Sequence, residues 1–324
     1  MTVLDSAPSA VLDAYRTCEF VTLGRDGTPL AWPTAVRRRE DGTLVLTTSL
    51  AFAQKALNIR RDGRVALLFS DPTGSGLTDA PHLFVGGSAE CPDDIRTGPQ
   101  GLEDYWRTLF ERQPHSRSYL SRPMRRLMDW YYLRLVITVT PEQLIVRSAG
   151  APPFLKVSAG PDGSPLPGAE QLARHPTAVL AARDASGAPA LARTRTAPTV
   201  GGFAVSPPDD HAMVPGPASL LVHRHDEKLN RMRNALVRGE LRQTGDGWLL
   251  VPGKVLEPMG SGPPSDAVRV LRRTQQATDR YLHRRGLTRP PVERDRFRAL
   301  AESARRHGTL DEERLRTTLR SPHH

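Results

Sequence analysis

A run of hydroxyl side chains followed closely by a lysine is the strongest chemical feature of the sequence. Thr47, Thr48 and Ser49 end a β-prone segment, and Gln54 and Lys55 fall in the first turn of a short predicted helix. Free backbone N–H groups at a helix start, hydroxyl donors and an ammonium together suit an anion that accepts several hydrogen bonds. The segment therefore predicts a phosphate-binding cradle.

Lys55 stands out because the chain otherwise avoids lysine. Only four of its 45 basic residues are lysines, and the rest are arginines. An ammonium on a flexible stem binds phosphate as a point charge. A purely structural interpretation stays open, in which Ser49 caps the helix and Lys55 lies on a solvated helix face.

The elements that would position this cradle are short strands separated by turns. Asp-Gly dipeptides at residues 26–27 and 41–42 are typical of tight turns, and the apolar spacing over residues 53–60 predicts the short helix. A helical insertion is predicted over residues 101–132. The predicted strands are residues 19–23, 30–36, 43–48, 65–69, 82–90, 133–139 and 143–147.

The second half of the chain repeats the first faintly. Four segments, beginning at residues 178, 202, 216 and 236, echo segments beginning at 20, 42, 63 and 84 in the same order, at offsets of 152 to 160. A fixed order at nearly constant offset indicates a tandem duplication. The second half lacks the residues that would form the helix containing Lys55.

The pattern of strands, Asp-Gly turns, the Thr-Thr-Ser strand end and the following Lys-x-x-Asn-Ile-Arg-Arg resembles the pyridoxamine-5′-phosphate-oxidase-like split β-barrels, which bind flavin or deazaflavin. The resemblance covers residues 18–90 well and the remainder more weakly. It implies a mainly β (α+β) fold of two tandem six-stranded Greek-key split barrels forming an intrachain pseudo-dimer, with a helical insertion and C-terminal helices. In that family the cofactor lies in the groove between two barrels.

The resemblance also implies roles for individual residues. Those predicted to contact the ribityl phosphate or support its helix are Thr47, Thr48, Ser49, Gln54, Lys55, Asn58, Arg60 and Arg61. Trp32, Pro33 and Thr34 match the strand that lies along the flavin ring. One departure excludes the oxidase reaction itself: where the oxidase has a phosphate-contacting arginine, this chain has Ala35 or Val36, with Arg37 next.

The densest polar cluster of the second half is residues 223–228. In a pseudo-dimer this cluster would form the opposite wall of the groove, where His223 and His225 could protonate or orient a substrate and Arg224 could hold a carboxylate or phosphate. The alternative is that Asp226 caps a helix over residues 227–236 and the histidines are surface residues. No sequence spacing indicates a metal site.

These features favour a flavin-type oxidoreductase that transfers a hydride between FMN or the deazaflavin coenzyme F-420 and a small organic substrate. The cofactor would carry the difficult chemistry. The alternative is a non-catalytic flavin- or haem-binding protein (a sensor, store or carrier), in which His82, His223 or His225 could ligate iron. A third interpretation is a nucleic-acid-interacting protein with a basic tail, and we do not expect it.

Length, composition and charge limit the classes of protein to which the chain can belong. The 324 residues allow about two domains, and the two cysteines exclude a disulfide scaffold. No apolar run is long enough for a membrane span, and no secretory signal is visible, so a cytoplasmic location is predicted. The net charge is +10, and residues 267–324 carry 15 arginines against 7 acidic residues, which predicts amphipathic helices with a basic solvated face.

The domain boundaries follow from these observations. We predict a cofactor-binding barrel over residues 1–150, a linker over 151–168, a degenerate barrel over 169–260 and a helical extension over 261–324. A chain that contains both barrels is expected to be a monomer or a weak homodimer, with one functional cofactor site.

Overall fold

The structure is a computed structural model that describes residues 3–6, 9–148, 166–206, 213–230, 232–245, 247–256 and 265–306. The described residues form two seven-stranded antiparallel sheets with few helices. This arrangement confirms the predicted mainly β fold with two barrels. Among the described residues, no helix combines the length and the apolar character that crossing a membrane would require.

The first sheet contains the strands of the first half, in the order β2-β1-β5-β6-β7-β4-β3. They are β1 (Cys18–Leu23), β2 (Pro29–Thr34), β3 (Val36–Arg38), β4 (Leu44–Ser49), β5 (Arg64–Phe69), β6 (His82–Glu90) and β7 (Arg134–Arg147). The two edge strands, β2 and β3, are separated only by Ala35. The sheet edges therefore meet in one bent segment, and counting that segment once gives the six strands of the predicted barrel.

The last strand of this sheet is longer than predicted. Two closing strands were expected, but β7 runs without a break beside β6, with a register shift between Gly86 and Gly87. At Gly87 an added Cβ would lie 2.2 Å from the carbonyl oxygen of Thr140. Only a glycine permits this close backbone approach, which lets the strand bend without ending.

The second sheet has the same strand order when it is followed from its β9 edge. Its strands are β8 (Ala178–Asp184), β9 (Pro189–Thr194), β10 (Thr196–Thr199), β11 (Gly202–Val205), β12 (Met213–Arg224), β13 (Arg233–Thr244) and β14 (Gly247–Leu256). Its edges again meet in a bent segment, here at Arg195. The second half is predicted to lack a counterpart of the helix that contains Lys55. The residues at that place, 207–212, lie outside the described residues, and so do most residues of the predicted linker.

The predicted helix over residues 227–236 is wrong. Residues 225–230 form a turn, and β13 begins at Arg233. The Asp226 carboxylate accepts hydrogen bonds from the backbone N–H groups of Lys228 and Asn230, so it caps a turn rather than a helix. From Arg233 onward, pairing of β13 with both β12 and β14 satisfies the backbone groups that a helix would otherwise have to satisfy.

The helices lie mainly around the first sheet. They are α1 (Ser9–Ala14), α2 (Gln54–Ile59), α3 (Glu103–Arg112), α4 (Asp129–Tyr132), α5 (Ala169–Ala173), α6 (Ser265–His283) and α7 (residues 294–306), with 3₁₀ turns at Val3–Ser6, Leu50–Phe52 and Pro114–Leu120. The Trp106 side chain of α3 packs against Tyr132 and against Phe297 of α7. The helical insertion and the C-terminal helices therefore complete the core of the first barrel.

A separate apolar cluster joins the two halves. Val21, Leu30 and Leu68 of the first half pack there against Leu191 and Leu221 of the second. Polar contacts surround it: the Ser219 hydroxyl donates to the Pro29 carbonyl oxygen at 2.7 Å, and the Arg183 guanidinium donates to the Gly27 carbonyl oxygen at 2.9 Å. The two sheets thus share a buried interface within one chain.

Candidate functional site

The predicted hydroxyl run ends strand β4, and its three side chains are buried. Thr47 Oγ1 donates to the Tyr105 hydroxyl at 3.1 Å, and Thr48 Oγ1 donates to the Phe52 carbonyl oxygen at 2.8 Å. Ser49 Oγ is buried and has no hydrogen-bond partner among the described residues. A buried hydroxyl without a partner costs free energy, so Ser49 is the one hydroxyl of the three that is available to a ligand.

Lys55 lies in the first turn of α2, six residues after Ser49, and its ammonium is close enough to Arg134 for the two charges to interact. Its Nζ stands over the Trp32 ring, 5.3 Å from the ring centroid, and no carboxylate of the described chain pairs with it. Burial, together with the nearby Arg134 guanidinium, lowers the pKa of Lys55 to about 8. An anion bound here would stabilise the charged form of Lys55 against both burial and the repulsion from Arg134.

Arg134 is a cradle residue that the sequence did not predict. It begins β7 directly opposite Ser49 in the sheet register. Its guanidinium lies over the Tyr131 ring at 4.4 Å and the Trp106 ring at 5.2 Å, and its buried Nε has no hydrogen-bond partner within the described ranges. Only the pairing of β4 with β7 brings Arg134 to Ser49, and no local motif signals that pairing.

The other residues assigned to the phosphate helix hold α2 in place instead of facing the cradle. Asn58 is buried, donates to Thr22 Oγ1 at 2.8 Å and accepts from Gln54 Nε2 at 2.8 Å and from Arg61 at 3.0 Å. Arg60 donates to the Cys91 and Pro92 carbonyl oxygens. These contacts fix the position of Lys55, because they anchor the short helix that carries it.

The strand predicted to lie along the flavin ring is β2. Trp32 is half-buried beside Lys55 and packs against the apolar cluster between the halves. Pro33 lies opposite Glu19 of β1, and Thr34 Oγ1 donates to the Trp32 carbonyl oxygen at 3.3 Å. Trp32 is therefore the member of this group that the structure brings to the cradle. Arg37, the arginine nearest the departure from the oxidase pattern, pairs with Asp13 at 3.1 Å.

His223 and His225 lie at the end of β12. Because successive side chains of a strand point to opposite faces, Arg224 points away from the two histidines. His223 and His225 are buried, whereas Arg224 is exposed between them. His223 Nε2 lies 2.7 Å from Glu19 Oε1, and His225 Nε2 lies 3.1 Å from Thr17 Oγ1. The histidines therefore contact the first half of the chain, whereas Arg224 does not lie with them.

Glu19 is a fully buried carboxylate at the centre of this network. Besides His223, it accepts hydrogen bonds from Arg193 at 2.9 Å and from Ser70 at 3.0 Å. Burial by itself would raise the pKa of Glu19, but the hydrogen bond from His223 and the charge of Arg193 outweigh burial and lower the pKa. Glu19 is thus held as a carboxylate that links both halves of the chain.

Asp71 adds a second acidic group to the histidine pair. Its Oδ2 lies 3.7 Å from His223 Nδ1 and 3.6 Å from His225 Nε2. The three side chains offer ligand atoms that all lie within 4.8 Å of one another. The sequence analysis predicted no such cluster, because Asp71 and the histidines belong to different halves of the chain. His82, the third histidine considered for iron, begins β6 outside this cluster, and its burial lowers its pKa.

Comparison with known proteins adds structural neighbours only. No family model and no curated protein matches the sequence. A protein of unknown function from Agrobacterium tumefaciens aligns with 21% identity over 45% of this chain and 60% of its own, with a TM-score of 0.31. The matched part therefore spans less than two thirds of that relative.

Two further solved structures are matched over most of their own length. A conserved hypothetical protein from Mycobacterium tuberculosis has 22% identity over 48% of this chain and 92% of its own, with a TM-score of 0.33. A pyridoxamine 5′-phosphate oxidase-like protein from Listeria innocua has 18% identity over 44% of this chain and 97% of its own, with a TM-score of 0.30. An F420 reductase, a haem storage protein from Vibrio cholerae and a FAD-binding protein from Mesorhizobium loti also match. At these identities and TM-scores, none of the likenesses carries an inference about cofactor or activity.

Proposed function

We propose that this protein binds a phosphate-bearing flavin-type cofactor, FMN or coenzyme F-420, and acts as a flavin-type oxidoreductase on a small organic substrate. The observation that carries the proposal is the cradle formed by Ser49, Lys55 and Arg134. It combines a buried hydroxyl without a partner with two cations that no carboxylate of the described chain neutralises.

Phosphate fits this donor set better than a carboxylate does. The Ser49 hydroxyl, the Lys55 ammonium and the Arg134 guanidinium are all hydrogen-bond donors, and phosphate offers three acceptor oxygens and close to two negative charges. Two like charges beside one another raise the free energy of the empty site. A phosphate would lower that free energy and satisfy the buried Ser49 hydroxyl at once.

The remaining features suit a flat cofactor attached to that phosphate. Trp32 offers an aromatic surface next to Lys55, and its strand β2 packs into the apolar cluster between the two halves. The bound flavin or deazaflavin would supply the hydride chemistry. The chain itself would anchor the phosphate and provide an apolar surface for the ring. A catalytic role for His223 and His225 stays a prediction, because Glu19, Thr17 and Asp226 already engage their ring nitrogens.

We further propose that the chain arose by tandem duplication and holds one cofactor. Support comes from the identical strand order of the two sheets and from the interface that joins them within the chain. The cradle residues belong to the first half only. Titration should therefore give about one cofactor per chain from a monomer, and two cofactors per chain would contradict the proposal.

The first experiment is an absorbance titration of the purified protein with FMN, with F-420 and with haemin. Riboflavin, which lacks the phosphate, serves as the matched probe for the cradle. We expect saturation with FMN or F-420 and much weaker binding of riboflavin. Saturation with haemin alone would instead support the haem-binding alternative. Cofactor binding without turnover in a substrate screen would support a carrier or sensor.

The Lys55→Ala substitution tests the cradle directly. Loss of a charge-assisted contact to phosphate should weaken FMN or F-420 binding by about 1.5–3 kcal/mol. The Ser49→Ala substitution should weaken it by about 1 kcal/mol, because a neutral hydroxyl is removed. Lys254→Ala removes an exposed lysine of the second half that lies outside the predicted groove wall, and it is the control. Unchanged affinity in both cradle variants would rule out this site.

A further inference from the structure

We propose that Asp71, His223 and His225 form a binding site for a divalent transition-metal ion that joins the two halves of the chain. The ligand atoms would be one carboxylate oxygen and two imidazole nitrogens, a set that zinc and iron(II) both accept. The site is separate from the phosphate cradle. It does not depend on the proposed cofactor.

The hydrogen-bond partners of the two rings assign their protons. His223 Nε2 faces the Glu19 carboxylate at 2.7 Å, and His225 Nδ1 faces the Asp226 carbonyl oxygen at 2.9 Å. Both partners are acceptors, so each of these nitrogens carries the N–H. In the neutral rings the lone pairs then lie on His223 Nδ1 and His225 Nε2, the nitrogens nearest Asp71 Oδ2.

The electron pairs of His223 Nδ1 and Asp71 Oδ2 therefore face each other. His225 Nε2 lies beside them and accepts from the Thr17 hydroxyl at 3.1 Å, a hydrogen bond that a metal ion would replace. His223 Nδ1 is buried and has no hydrogen-bond partner in the part of the chain that the structure describes, and the side chain is only 2% exposed. Its distance to Asp71 Oδ2 is 3.7 Å, too long for a hydrogen bond. A cation between the three atoms would remove the repulsion between lone pairs and carboxylate, and it would satisfy the buried nitrogen.

The surrounding contacts match those that orient metal ligands in proteins. A metal-bound histidine commonly donates its other ring N–H to a carboxylate or a backbone carbonyl, and both histidines do so here. Asp71 Oδ1 accepts from the Thr73 backbone N–H at 3.0 Å, which leaves Oδ2 for the metal. The polar side-chain atoms that are not proposed ligands, namely His223 Nε2, His225 Nδ1 and Asp71 Oδ1, thus already have hydrogen-bond partners.

The spacing allows coordination after small side-chain movements. Ligand atoms about 2.0–2.2 Å from a metal lie roughly 3–3.5 Å apart. Asp71 Oδ2 lies 3.6–3.7 Å from the two nitrogens, and all three atoms lie within 4.8 Å of one another, so the atoms would have to move closer together around the ion. Two nitrogens and one oxygen leave at least one coordination position open for water or another ligand. The Thr17 hydroxyl, 3.1 Å from His225 Nε2, is one oxygen within reach.

The test uses the full-length protein after treatment with a chelator. Cobalt(II) is the probe because its visible spectrum reports coordination, and zinc(II) is then added to displace it. We expect one cobalt ion per chain, displaced by zinc. Because the ligands come from both halves, we also expect the ion to raise the melting temperature by mass action.

Asp71→Asn is the decisive variant, since asparagine keeps the shape of the side chain and can still accept from Thr73. It should weaken cobalt binding at least tenfold and abolish the rise in melting temperature. His225→Gln should do the same. His283→Gln, which changes an exposed histidine of α6, is the control and should bind cobalt like the original chain.

Two results would overturn the proposal. One is the absence of saturable cobalt or zinc binding, which would mean that the three side chains hold no metal ion. The other is binding that Asp71→Asn and His225→Gln leave unchanged, which would place the ion elsewhere. Urea unfolding of the same variants, followed by circular dichroism with a chelator present, shows whether they are folded without relying on the proposed cofactor. FMN titration then reports separately on the cofactor site, whose residues are unaltered.

Discussion

Lys55 and Arg134 are two cations that no carboxylate of the described residues pairs with. Buried or half-buried cations in proteins are usually paired, because desolvation of an unpaired charge is costly. Here the described chain provides aromatic rings instead, with Trp32 beside Lys55 and Tyr131 beside Arg134. The lowered pKa of Lys55 is the direct consequence, and it makes anion binding sensitive to pH.

Cofactor affinity should fall as the pH rises through the pKa of Lys55. That pKa is about 8, so the ammonium is charged at pH 7 and mostly neutral at pH 9. Binding of a phosphate-bearing cofactor should weaken about tenfold between these two values, since the charged form is needed. Equilibrium titration at each pH measures the change. In Lys55→Ala the residual affinity should lack this dependence, and an equal slope in that variant would contradict the assignment.

The sequence allowed only part of this site to be predicted. Lys55 and Ser49 were identifiable because they follow a strand end in one continuous segment. Arg134, Glu19 and Asp71 were not, because their roles depend on which strands pair and on how the two halves pack. Contacts between residues distant in sequence leave no local pattern to detect.

At the scale of elements, the C-terminal helices belong to the first barrel. Phe297 of α7 is fully buried, with its ring centroid 4.8 Å from those of Trp106 and Tyr132. Arg289 pairs with Asp129 at 2.7 Å, and Arg285 pairs with Asp93 at 3.2 Å. Several basic groups of this region are therefore used within the chain, which weakens the interpretation of a nucleic-acid-binding tail.

Phe297→Ala should destabilise the protein by about 3–5 kcal/mol, because it leaves a cavity among packed aromatic rings. The free energy of unfolding in urea measures this effect. Leu287→Ala is the control, since that side chain is 44% exposed and its truncation should cost far less. A loss of less than 1 kcal/mol in Phe297→Ala would show that α7 is not part of the cooperative core.

Most elements were predictable from turn chemistry and periodicity. The Asp-Gly turns and alternating apolar segments located the strands of the first half, and the repeat located those of the second. The helix predicted over residues 227–236 failed for a physical reason. The Asp226 cap on which that alternative rested is a local feature that also suits a turn, and from Arg233 onward the chain pairs with the neighbouring strands β12 and β14.

At the scale of the whole molecule, the interface between the halves contains a buried charged network. Arg193 and His223 of the second half both contact Glu19 of the first, and the Glu19 carboxylate is fully buried. Apolar packing surrounds the network. Such a network fixes how two sheets pack, because each group would be left unpaired in any other arrangement.

Glu19→Gln should therefore destabilise the protein by about 3–5 kcal/mol at pH 7, because it leaves the Arg193 guanidinium without its buried carboxylate and removes the carboxylate acceptor of the His223 hydrogen bond. The lowered pKa of Glu19 means that its stabilising contribution is complete above the unfolded-state value, near 4.5, and is lost as the pH falls through the folded-state value. The difference in unfolding free energy between the original chain and Glu19→Gln should accordingly narrow in acid.

Urea unfolding at pH 7 and at acidic pH, with a chelator present, measures both effects. Glu170→Gln is the matched control: its partner Arg174 is one helical turn away, both side chains are more than 60% exposed, and little change is expected. If Glu19→Gln were as stable as the original chain at pH 7, the carboxylate would not hold the halves together. The apolar cluster alone would then have to determine how the two barrels pack, and substitutions there would be the next to measure.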